Sequence, residues 1–371
     1  MSNSMTAPHI AFFSGDITRS GGTENVSIMI ANALAQHDEY EISFVSLFEE
    51  VSEPFFRIDD AIARYTVYPT PTHGIQHYFD TVGRLRKLVE DHHIDVLVDI
   101  DGILDMYSLP IKRKTGVKVV SWEHFNYHQN PGVPYRKLTR RWAARKADAI
   151  VTLTGADRKL YEQHAHPKCP VIAIPNPMRQ VTPEPVYDVA SKTIISSGRL
   201  TYQKGFDMLV DVAAKVLPRH PDWQWLILGE GEDRPMLEEK ISQAGIGSQL
   251  ILKGRVDDMD PYYRSAAMFV MTSRFEGLPM VLLEAKAYKL PIVSFDCETG
   301  PSEIVLNGVN GDLMQMGDIE STAKTITRLV GDASKRASYS AHTVVGAERF
   351  GMTEIMEQWH ALLDQVAAGR L

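Results

Sequence analysis

The stretch AAMFVMTSRFEGLPMVLLEAKAYKLPIVSFD, residues 266–296, contains a complete strand–helix–strand pattern. Its two short apolar runs, 266–273 and 291–296, are typical of strands that are buried on both faces of a parallel sheet. The segment between them, 279–288, predicts a helix with a proline near its first turn. Parallel strands need such a crossover, so the stretch predicts one βαβ unit of an α/β sheet.

The same alternation extends in both directions from this stretch. After residue 190 it predicts further strands at 193–200, 223–231 and 250–256 and helices near 205–217 and 233–244. Before residue 174 it predicts strands at 9–13, 40–47, 94–100, 117–124 and 147–153 and helices at 21–36 and 82–93. Buried strands separated by helices indicate doubly wound parallel sheets.

A proline-rich segment separates the two halves of the pattern. Residues 174–188 contain four prolines, which disfavour both helix and strand and predict a linker. The sequence therefore predicts two α/β domains, 1–180 and 181–350, followed by a helix at 353–368. Two such domains would face each other across a cleft, where ligands bind at the carboxyl ends of strands.

The composition is that of a globular protein. Of the 371 residues, 44% are hydrophobic and 23% are charged, and no apolar run reaches the length of a membrane-spanning helix. The apolar run at 9–13 lacks a basic segment before it, so we interpret it as a strand and not as a signal peptide. Cys169 and Cys297 lack metal-ligand spacing, which indicates buried thiols in a reducing cytoplasm.

The loop SGRLTYQKGFD, residues 197–207, follows one predicted strand and precedes a helix. Arg199 and Lys204 bring two cations close to that helix start, an arrangement that suits a diphosphate. The alternative is that both are solvated surface charges. Their position at the ligand-binding end of a strand favours the anion site.

Two glutamates flank the start of the helix at 279–288. Glu276 lies in the preceding loop, and Glu284 lies on the helix among Leu282, Leu283 and Ala285. A carboxylate accepts hydrogen bonds from vicinal hydroxyls such as those of a ribose or hexose. The alternative makes Glu276 a helix N-terminal charge and Glu284 a structural residue, although burying an unpaired carboxylate is costly.

The first domain offers two weaker candidates. Gly21 and Gly22, in GDITRSGGTEN (15–25), let the backbone approach a ligand at a helix start, but they do not form a GxGxxG or Walker pattern. An ordinary helix-entry turn explains them equally well. His124, in SWEHFNYH (121–128), ends a predicted strand, where it is either a ligand-binding or a structural residue.

Together these motifs resemble those of the family 4 retaining glycosyltransferases, which have the GT-B fold of two Rossmann-like domains. Glu276-x7-Glu284 is similar to the E-x7-E motif of that family, and SGRLTYQKGFD is similar to its diphosphate loop. GGTEN is similar to its N-terminal glycine turn, and GPSEIVLNGVNGDL (300–313) is similar to its C-terminal donor motif. The resemblance covers nearly the whole chain.

The resemblance implies a role for each matching residue. Arg199 and Lys204 would hold the donor diphosphate, Glu276 the donor sugar and Glu284 the ribose. The helix at 353–368 would pack back on the first domain. Further donor contacts would come from the remaining matched positions, namely Gly22, His124, Gly254, Arg255, Val256, Gly277 and Leu278, with His124 orienting the transferred sugar.

The resemblance and the residues together predict the reaction class. We expect a metal-independent, retaining transfer of a hexose or N-acetylhexosamine from a nucleotide sugar, UDP-linked by the form of FDCETGPSEIV, to a lipid-linked, lipopolysaccharide or capsule glycan. The nearest acidic clusters, DGILD (101–105) and DDMD (257–260), are interpreted as loops and not as metal sites. The alternatives are a sugar-nucleotide epimerase of related fold and a non-catalytic nucleotide-sugar-binding protein.

A basic helix distinguishes the first domain. Residues 1–180 hold 20 Lys and Arg against 21 Asp and Glu, whereas residues 181–371 hold 19 against 26. The cations proposed to meet an anionic membrane or an acceptor are Arg136, Lys137, Arg140, Arg141 and Arg145. The sequence thus predicts a cytoplasmic protein that docks peripherally on the plasma membrane. The alternative is a solvated helix that packs Trp142 inward, and nothing supports nucleic-acid binding.

Overall fold

The computed structural model describes residues 7–36, 39–72, 75–130 and 133–371. The chain divides into two compact units, here called unit 1 (Met1–Asn176 with Met352–Leu371) and unit 2 (Pro177–Gly351). Residues 1–6, part of the segment considered as a signal peptide, lie outside the described residues. Each unit contains one parallel sheet with helices, which confirms the predicted α/β class.

The strands and helices are numbered in chain order. The strands are β1 His9–Ser14, β2 Glu41–Ser46, β3 Ala63–Thr66, β4 Val96–Asp99, β5 Lys118–Glu123, β6 Ala149–Thr152, β7 Val171–Ala173, β8 Thr193–Ser197, β9 Gln224–Leu228, β10 Leu250–Gly254, β11 Met268–Met271, β12 Ile292–Asp296 and β13 Gly311–Gln315. The helices are α1 Gly22–Leu34, α2 Tyr78–Asp91, α3 Asp105–Ser108, α4 Lys112–Thr115, α5 Arg136–Lys146, α6 Gly155–His164, α7 Phe206–Val216, α8 Arg234–Gln243, α9 Asp260–Ser265, α10 Met280–Ala287, α11 Pro301–Ile304, α12 Ile319–Gly331, α13 Ala333–Ala341 and α14 Met352–Ala367.

Unit 1 is built on a seven-stranded sheet of order β3-β2-β1-β4-β5-β6-β7. The central strands β1, β4 and β6 are buried along their whole length, as their apolar runs predict. Helix α14 returns to this unit and buries Trp359 against Trp122 and Phe12, with ring centroids 4.8 and 6.4 Å apart. The C-terminal segment thereby completes the core of the first sheet.

Unit 2 is built on a six-stranded sheet of order β10-β9-β8-β11-β12-β13. Helix α7 lies over it and buries an apolar face of Leu209, Val210, Ala213 and Val216. In both units the strand order reverses beside the first strand, between β1 and β4 and between β8 and β11. Such a switch point is where open α/β sheets bind ligands, outside the carboxyl ends of the strands.

The sequence analysis did not predict the helices α6 and α12, which have ten and thirteen residues, and it also missed shorter elements. The edge strands β3 and β7 have only four and three residues and are not fully buried, so they carry little periodicity. The two acidic clusters are not entirely loops, because Asp105 begins α3 and Asp260 begins α9. That part of the prediction is wrong, since four- and six-residue helices are too short to show a helical pattern.

Within the described residues, no helix has both the length and the apolar composition needed to cross a membrane.

Candidate functional site

The candidate site of unit 2 lies where the loops after β8 and β11 meet. Lys204 Nζ lies 2.6 Å from Glu276 Oε1. The Glu276 residue is only 6% exposed, and the Lys204 side chain is 20% exposed. Two residues separated by 72 positions are therefore brought together at the switch point as a cation and a carboxylate.

A second ion pair links the loop after β11 to the start of α7. Arg274, two residues before Glu276, donates to both carboxylate oxygens of Asp207 at 2.8 and 2.6 Å. It also donates to the carbonyl of Tyr202 on the opposite loop. The bidentate contact holds the pKa of Asp207 below its ordinary value. The sequence analysis missed Arg274 and Asp207, and no spacing in the sequence joins them.

Gly205 allows the loop after β8 to pass close to the loop after β11. It has φ +63° and caps the N-terminus of α7. A Cβ at this position would lie 2.2 Å from the carbonyl oxygen of Thr272. Both the left-handed backbone and the close approach require glycine. Gly205 therefore sets the backbone position of the adjacent Lys204.

Glu284 occupies a half-buried position on α10. The Tyr263 hydroxyl donates to Glu284 Oε2 at 2.7 Å, while Oε1 makes no hydrogen bond to any described residue. Burial raises the pKa of Glu284, and the bond from Tyr263 offsets part of the rise. The helix starts one residue later than predicted, because Pro279 is its N-cap at ψ 106° and not part of its first turn.

The loop after β12 adds a third side to this site. The Thr299 hydroxyl donates to the Glu276 carbonyl at 2.5 Å, and the buried Cys297 lies nearby. Burial, reinforced by the charge of Glu276, raises the pKa of Cys297 to about 12, so its thiol stays protonated. Both residues lie in FDCETGPSEIV, the stretch on which the UDP prediction rests, but the sequence analysis gave neither of them a role in this site.

The remaining predicted donor residues lie at this end of unit 2 with differing exposure. Arg199 is exposed and makes no hydrogen bond or ion pair to a described residue. Gly254 ends β10 with φ +81°, and Arg255 after it is exposed beside Asp257. The other members of the predicted set are Val256, Gly277 and Leu278, of which Leu278 is buried.

His124 is the buried residue that follows β5 in unit 1. It is 8% exposed, its ring lies 4.5 Å from that of Trp122, and Nε2 has no hydrogen-bond partner among the described residues. Burial lowers the pKa of His124 to about 4, and Asp101 only partly opposes this. The imidazole is therefore neutral at pH 7 and retains an unsatisfied nitrogen.

The glycine turn of unit 1 places its two glycines differently. Gly22 is exposed and is the first residue of α1, whereas Gly21 is the N-cap. A Cβ on Gly21 would lie 2.1 Å from Glu24 Oε2, while a Cβ on Gly22 would meet nothing within 4 Å. The Glu24 side chain folds back over Gly21, so a Cβ there would displace only the flexible end of that side chain, and the space around the two glycines requires neither of them.

The basic helix α5 does not present its cations as one surface. Arg136 and Arg140 are only 3% and 1% exposed. Arg136 makes a bidentate pair with Asp101, and Arg140 Nη2 lies 3.2 Å from Glu123 Oε2. Their assignment to membrane or acceptor contact is therefore wrong, because carboxylates at the ends of β4 and β5 draw them inward.

The exposed face of α5 carries the other predicted cations. Lys137, Arg141 and Arg145 face solvent, and Leu138 is 65% exposed between them. Trp142 is half-buried and packs against the core of unit 1. The two large apolar residues of this helix thus differ, because Leu138 points outward while Trp142 points inward.

Known proteins match almost all of the chain. Residues 20–179 match the family described as Glycosyltransferase Family 4, and residues 183–343 match Glycosyl transferases group 1. An uncharacterized glycosyltransferase of Haemophilus influenzae is 32% identical over 354 residues, 95% of this chain and 99% of that protein. The chain belongs to the family 4 glycosyltransferases.

One further relative and one solved structure are also similar to this glycosyltransferase. A Campylobacter jejuni protein is 25% identical over 358 residues, 94% of this chain and 96% of its own, and is called GalNAc-alpha-(1->4)-GalNAc-alpha-(1->3)-diNAcBac-PP-undecaprenol alpha-1,4-N-acetyl-D-galactosaminyltransferase. The solved structure of Anabaena HepE in complex with UDP has a TM-score of 0.76 at 17% identity, covering 96% of this chain and 100% of that one. The structural likeness confirms the predicted GT-B fold.

Unit 1 of the glycosyltransferase contains a pair of buried carboxyls between β4 and α3. Asp99 ends β4 and Asp105 begins α3, and both are fully buried. Ser108 donates to Asp99, and Ser121 donates to Asp105 at 2.7 Å. Burial raises the pKa of both carboxyls, and their mutual repulsion raises that of Asp105 further. The folded pair therefore keeps a proton that the unfolded chain releases.

Replacing Asp105 by Asn is expected to change how stability depends on pH. The free energy of unfolding of the native protein should fall, relative to Asp105→Asn, as the pH rises above about 4, the ordinary pKa of Asp. A single proton that only the folded state binds changes the free energy of unfolding by at most about 1.4 kcal/mol per pH unit. Urea unfolding between pH 4 and 8 measures the difference, with the exposed Asp60→Asn as control. Parallel stability curves would contradict the shared proton.

Proposed function

We propose that the protein is a retaining, metal-independent glycosyltransferase that moves a hexose or N-acetylhexosamine from a UDP-sugar to a lipid-linked bacterial surface glycan. The observation that carries this proposal is the 2.6 Å contact between Lys204 and Glu276 at the switch point of unit 2. It joins a cation suited to a phosphate with a carboxylate suited to sugar hydroxyls. Both occupy the end of the sheet where such folds bind ligands.

Arg199 and Lys204 stabilise the leaving diphosphate in this proposal. The bond between C1 of the sugar and the β-phosphate oxygen breaks, and the acceptor oxygen bonds to C1 on the same face. The departing phosphate oxygen takes the acceptor proton, so the reaction balances without a protein nucleophile. Negative charge grows on the diphosphate in the transition state, where preorganised cations have their largest effect.

The two glutamates hold the rest of the donor. Glu284 accepts hydrogen bonds from the ribose hydroxyls through Oε1, since Tyr263 already occupies Oε2. Glu276 accepts from hydroxyls of the transferred sugar through the oxygen that Lys204 does not contact. Gly277 and Leu278 contribute backbone beside it, and Gly254, Arg255 and Val256 flank the base.

Unit 1 contributes His124 and Gly22 in this proposal. The neutral imidazole of His124 offers an unsatisfied Nε2 for a sugar hydroxyl. Gly22 is exposed at the start of α1, where backbone amide groups favour an anion. The choice of UDP is supported by the UDP complex of HepE, and the choice of a lipid-linked acceptor by the printed name of the Campylobacter relative.

The proposal is tested by thermal unfolding with UDP, GDP, ADP and their common sugars, with and without EDTA. We expect one UDP-sugar to raise the Tm selectively and equally in both conditions. Glu284→Ala should remove most of that shift, because the ribose loses its acceptor, while the exposed Glu239→Ala should retain it. A shift that EDTA abolishes would contradict metal independence, and a preference for GDP or ADP would contradict the donor.

A transfer assay separates the alternatives. An epimerase would convert the donor sugar without any acceptor, and a non-catalytic binding protein would bind UDP-sugar without turnover. The glycosyltransferase should release UDP and elongate a lipid-linked glycan with retention at C1. NMR of the new linkage measures the configuration, and inversion would overturn the retaining assignment.

The exposed face of α5 supports a proposal for location as well. Leu138 and Phe79, which are 65% and 87% exposed, lie on α5 and α2, and both helices pack against α3. Exposed apolar side chains among cations are typical of surfaces that dock on anionic membranes. We therefore propose that the protein attaches peripherally to the cytoplasmic face of the membrane through the exposed residues of α5 and α2. Arg136 and Arg140 take no part in this attachment, because they are buried.

Liposome sedimentation tests this attachment. The variant Leu138→Ser/Arg145→Gln/Lys146→Gln should bind anionic vesicles about tenfold or more weakly, since each cation contributes about 1 kcal/mol near such a surface. The matched control in unit 2 is Val186→Ser/Lys192→Gln/Lys324→Gln, which should sediment as the unchanged protein does. Equal sedimentation of the two variants would defeat the membrane proposal.

A further inference from the structure

A small cationic cavity lies in unit 1 between α5 and the end of α6. Its volume is about 220 Å³. It is lined by Tyr127, His128, Asn130, Lys137, Arg141 and His164. We infer that this cavity is a second anion site that binds the phosphoryl group of a phosphate ester. It is separate from the donor diphosphate site on unit 2 and does not depend on which sugar is transferred.

The lining is complementary to a phosphoryl group. Within the described part of the chain, every charged residue of the lining is a cation and none is acidic. Lys137 and Arg141 lie one turn apart on α5 and form no ion pair with a described residue. A guanidinium and an ammonium that converge on one cavity provide the charge-assisted donors that phosphate oxygens prefer.

Aromatic rings form a wall of the cavity. The ring centroids of His128 and His164 lie 5.2 Å apart, and Tyr127 stacks on His164 at 5.8 Å with an interplanar angle of 20°. The exposed imidazole of His164 offers a further N–H donor to an anion. The stacked rings also give the wall an apolar surface, against which the carbon skeleton of an ester can pack.

The wall is fixed in position before any ligand binds. The buried Arg140 donates to the carbonyls of Tyr127 and Gln129 at 2.5 and 2.8 Å. Asp157 Oδ1 accepts from the Tyr127 amide at 2.8 Å. Glu123 compensates the charge of Arg140, so the electrostatic potential of the cavity comes from its own lining. The aromatic wall of the cavity is therefore preorganised, while Lys137 and Arg141 remain exposed on α5.

The volume limits what the cavity can hold. At about 220 Å³ it is smaller than the roughly 300–1,000 Å³ of pockets that enclose whole drug-sized ligands. A phosphoryl group with part of one attached sugar or glycerol fits that size, whereas an oligosaccharide does not. The ligand is therefore the phosphate-bearing end of a larger molecule or a small ester, either a sugar phosphate or a lipid headgroup.

The test uses the full chain labelled at its histidines and saturated with UDP, which occupies the site of Arg199 and Lys204. Imidazole NMR signals of His128 and His164, assigned with His128→Gln and His164→Gln, are followed during titration. The probes are glucose 6-phosphate, glycerol 3-phosphate, inorganic phosphate, glucuronate and glucose. We expect saturable shifts of both signals with the phosphate esters and none with glucose.

The ester that binds more tightly indicates which kind of molecule supplies the phosphoryl group. Tighter binding of glucose 6-phosphate would support the site with an acceptor sugar phosphate as its ligand, and tighter binding of glycerol 3-phosphate would support it with a lipid headgroup. Glucuronate or inorganic phosphate binding as tightly as the esters would overturn the assignment to a phosphate ester. Absence of a saturable shift with every probe would overturn the site itself.

A charge variant ties the binding to this cavity. Lys137→Gln/Arg141→Gln should weaken ester binding by about tenfold or more, because it removes two charge-assisted donors. Both residues are exposed, so the variant should fold, and an unchanged Tm checks this. The control Arg113→Gln/Lys146→Gln removes the same charge elsewhere on unit 1 and should bind as the unchanged protein does. Equal loss in both variants would overturn the site.

Discussion

Replacement of Arg199 and Lys204 together by alanine is expected to lower kcat by about four powers of ten. Each cation that stabilises the charge of a leaving group contributes roughly 3 kcal/mol, and two contribute a factor of about 10⁴. Arg199 is exposed and unpaired among the described residues, so its loss alters no described contact. Single-turnover measurements with donor and acceptor at saturation give the effect on chemistry apart from binding.

Lys204 needs a separate control because it serves two purposes. It neutralises Glu276, which is only 6% exposed, so Lys204→Ala leaves a nearly buried carboxylate without its cation. Lys204→Ala/Glu276→Gln removes this unpaired charge, so it should recover the stability of the protein but not its turnover. The exposed pair Arg219→Ala/Lys324→Ala loses the same charge and should remain active. Near-normal kcat in the Arg199→Ala/Lys204→Ala variant would remove the diphosphate assignment.

The sequence predicted the elements of this site better than their contacts. Periodicity predicted β8, β11 and α10, and the loops after β8 and β11 suggested Lys204 and Glu276, because parallel sheets bring such loops to one edge, while Glu284 was predicted on α10 itself. The contacts that surround these residues were not predicted. Arg274 pairs with Asp207 across 67 positions and Tyr263 with Glu284 across 21. Contacts of that range depend on how neighbouring strands are ordered, which periodicity does not specify.

The basic helix illustrates the same limit. Six cations among the eleven residues from Arg136 to Lys146 surround most of the helix, so the pattern alone does not show which of the cations are buried. The distinction comes from Asp101 and Glu123, which lie just after β4 and at the end of β5. Only the sheet order places these carboxylates under α5, where they take Arg136 and Arg140 out of solvent.

The buried pair formed by Arg140 and Glu123 leads to the second large effect. Both side chains are 1% exposed. Burial is the largest single influence and lowers the pKa of Arg140, but the charge and hydrogen bond of Glu123, together with the nearby Tyr161 and Asp157, outweigh it and raise the pKa. Arg140→Ala removes one partner and leaves the other charge buried, which costs about 3–5 kcal/mol. The adjacent Arg141→Ala, an exposed residue on the same helix, should change stability by no more than about 0.5 kcal/mol.

Thermal and urea unfolding measure this contrast directly. At roughly 2–4 °C per kcal/mol for a domain of this size, Arg140→Ala should lower the Tm by about 6–20 °C while Arg141→Ala leaves it nearly unchanged. Arg140→Met/Glu123→Leu should recover most of the loss, because an apolar pair of similar volume needs no compensating charge. Recovery would show that the cost lies in the unpaired carboxylate. A double variant as unstable as Arg140→Ala would instead locate it in the hydrogen bonds from Arg140 to the carbonyls of Tyr127 and Gln129.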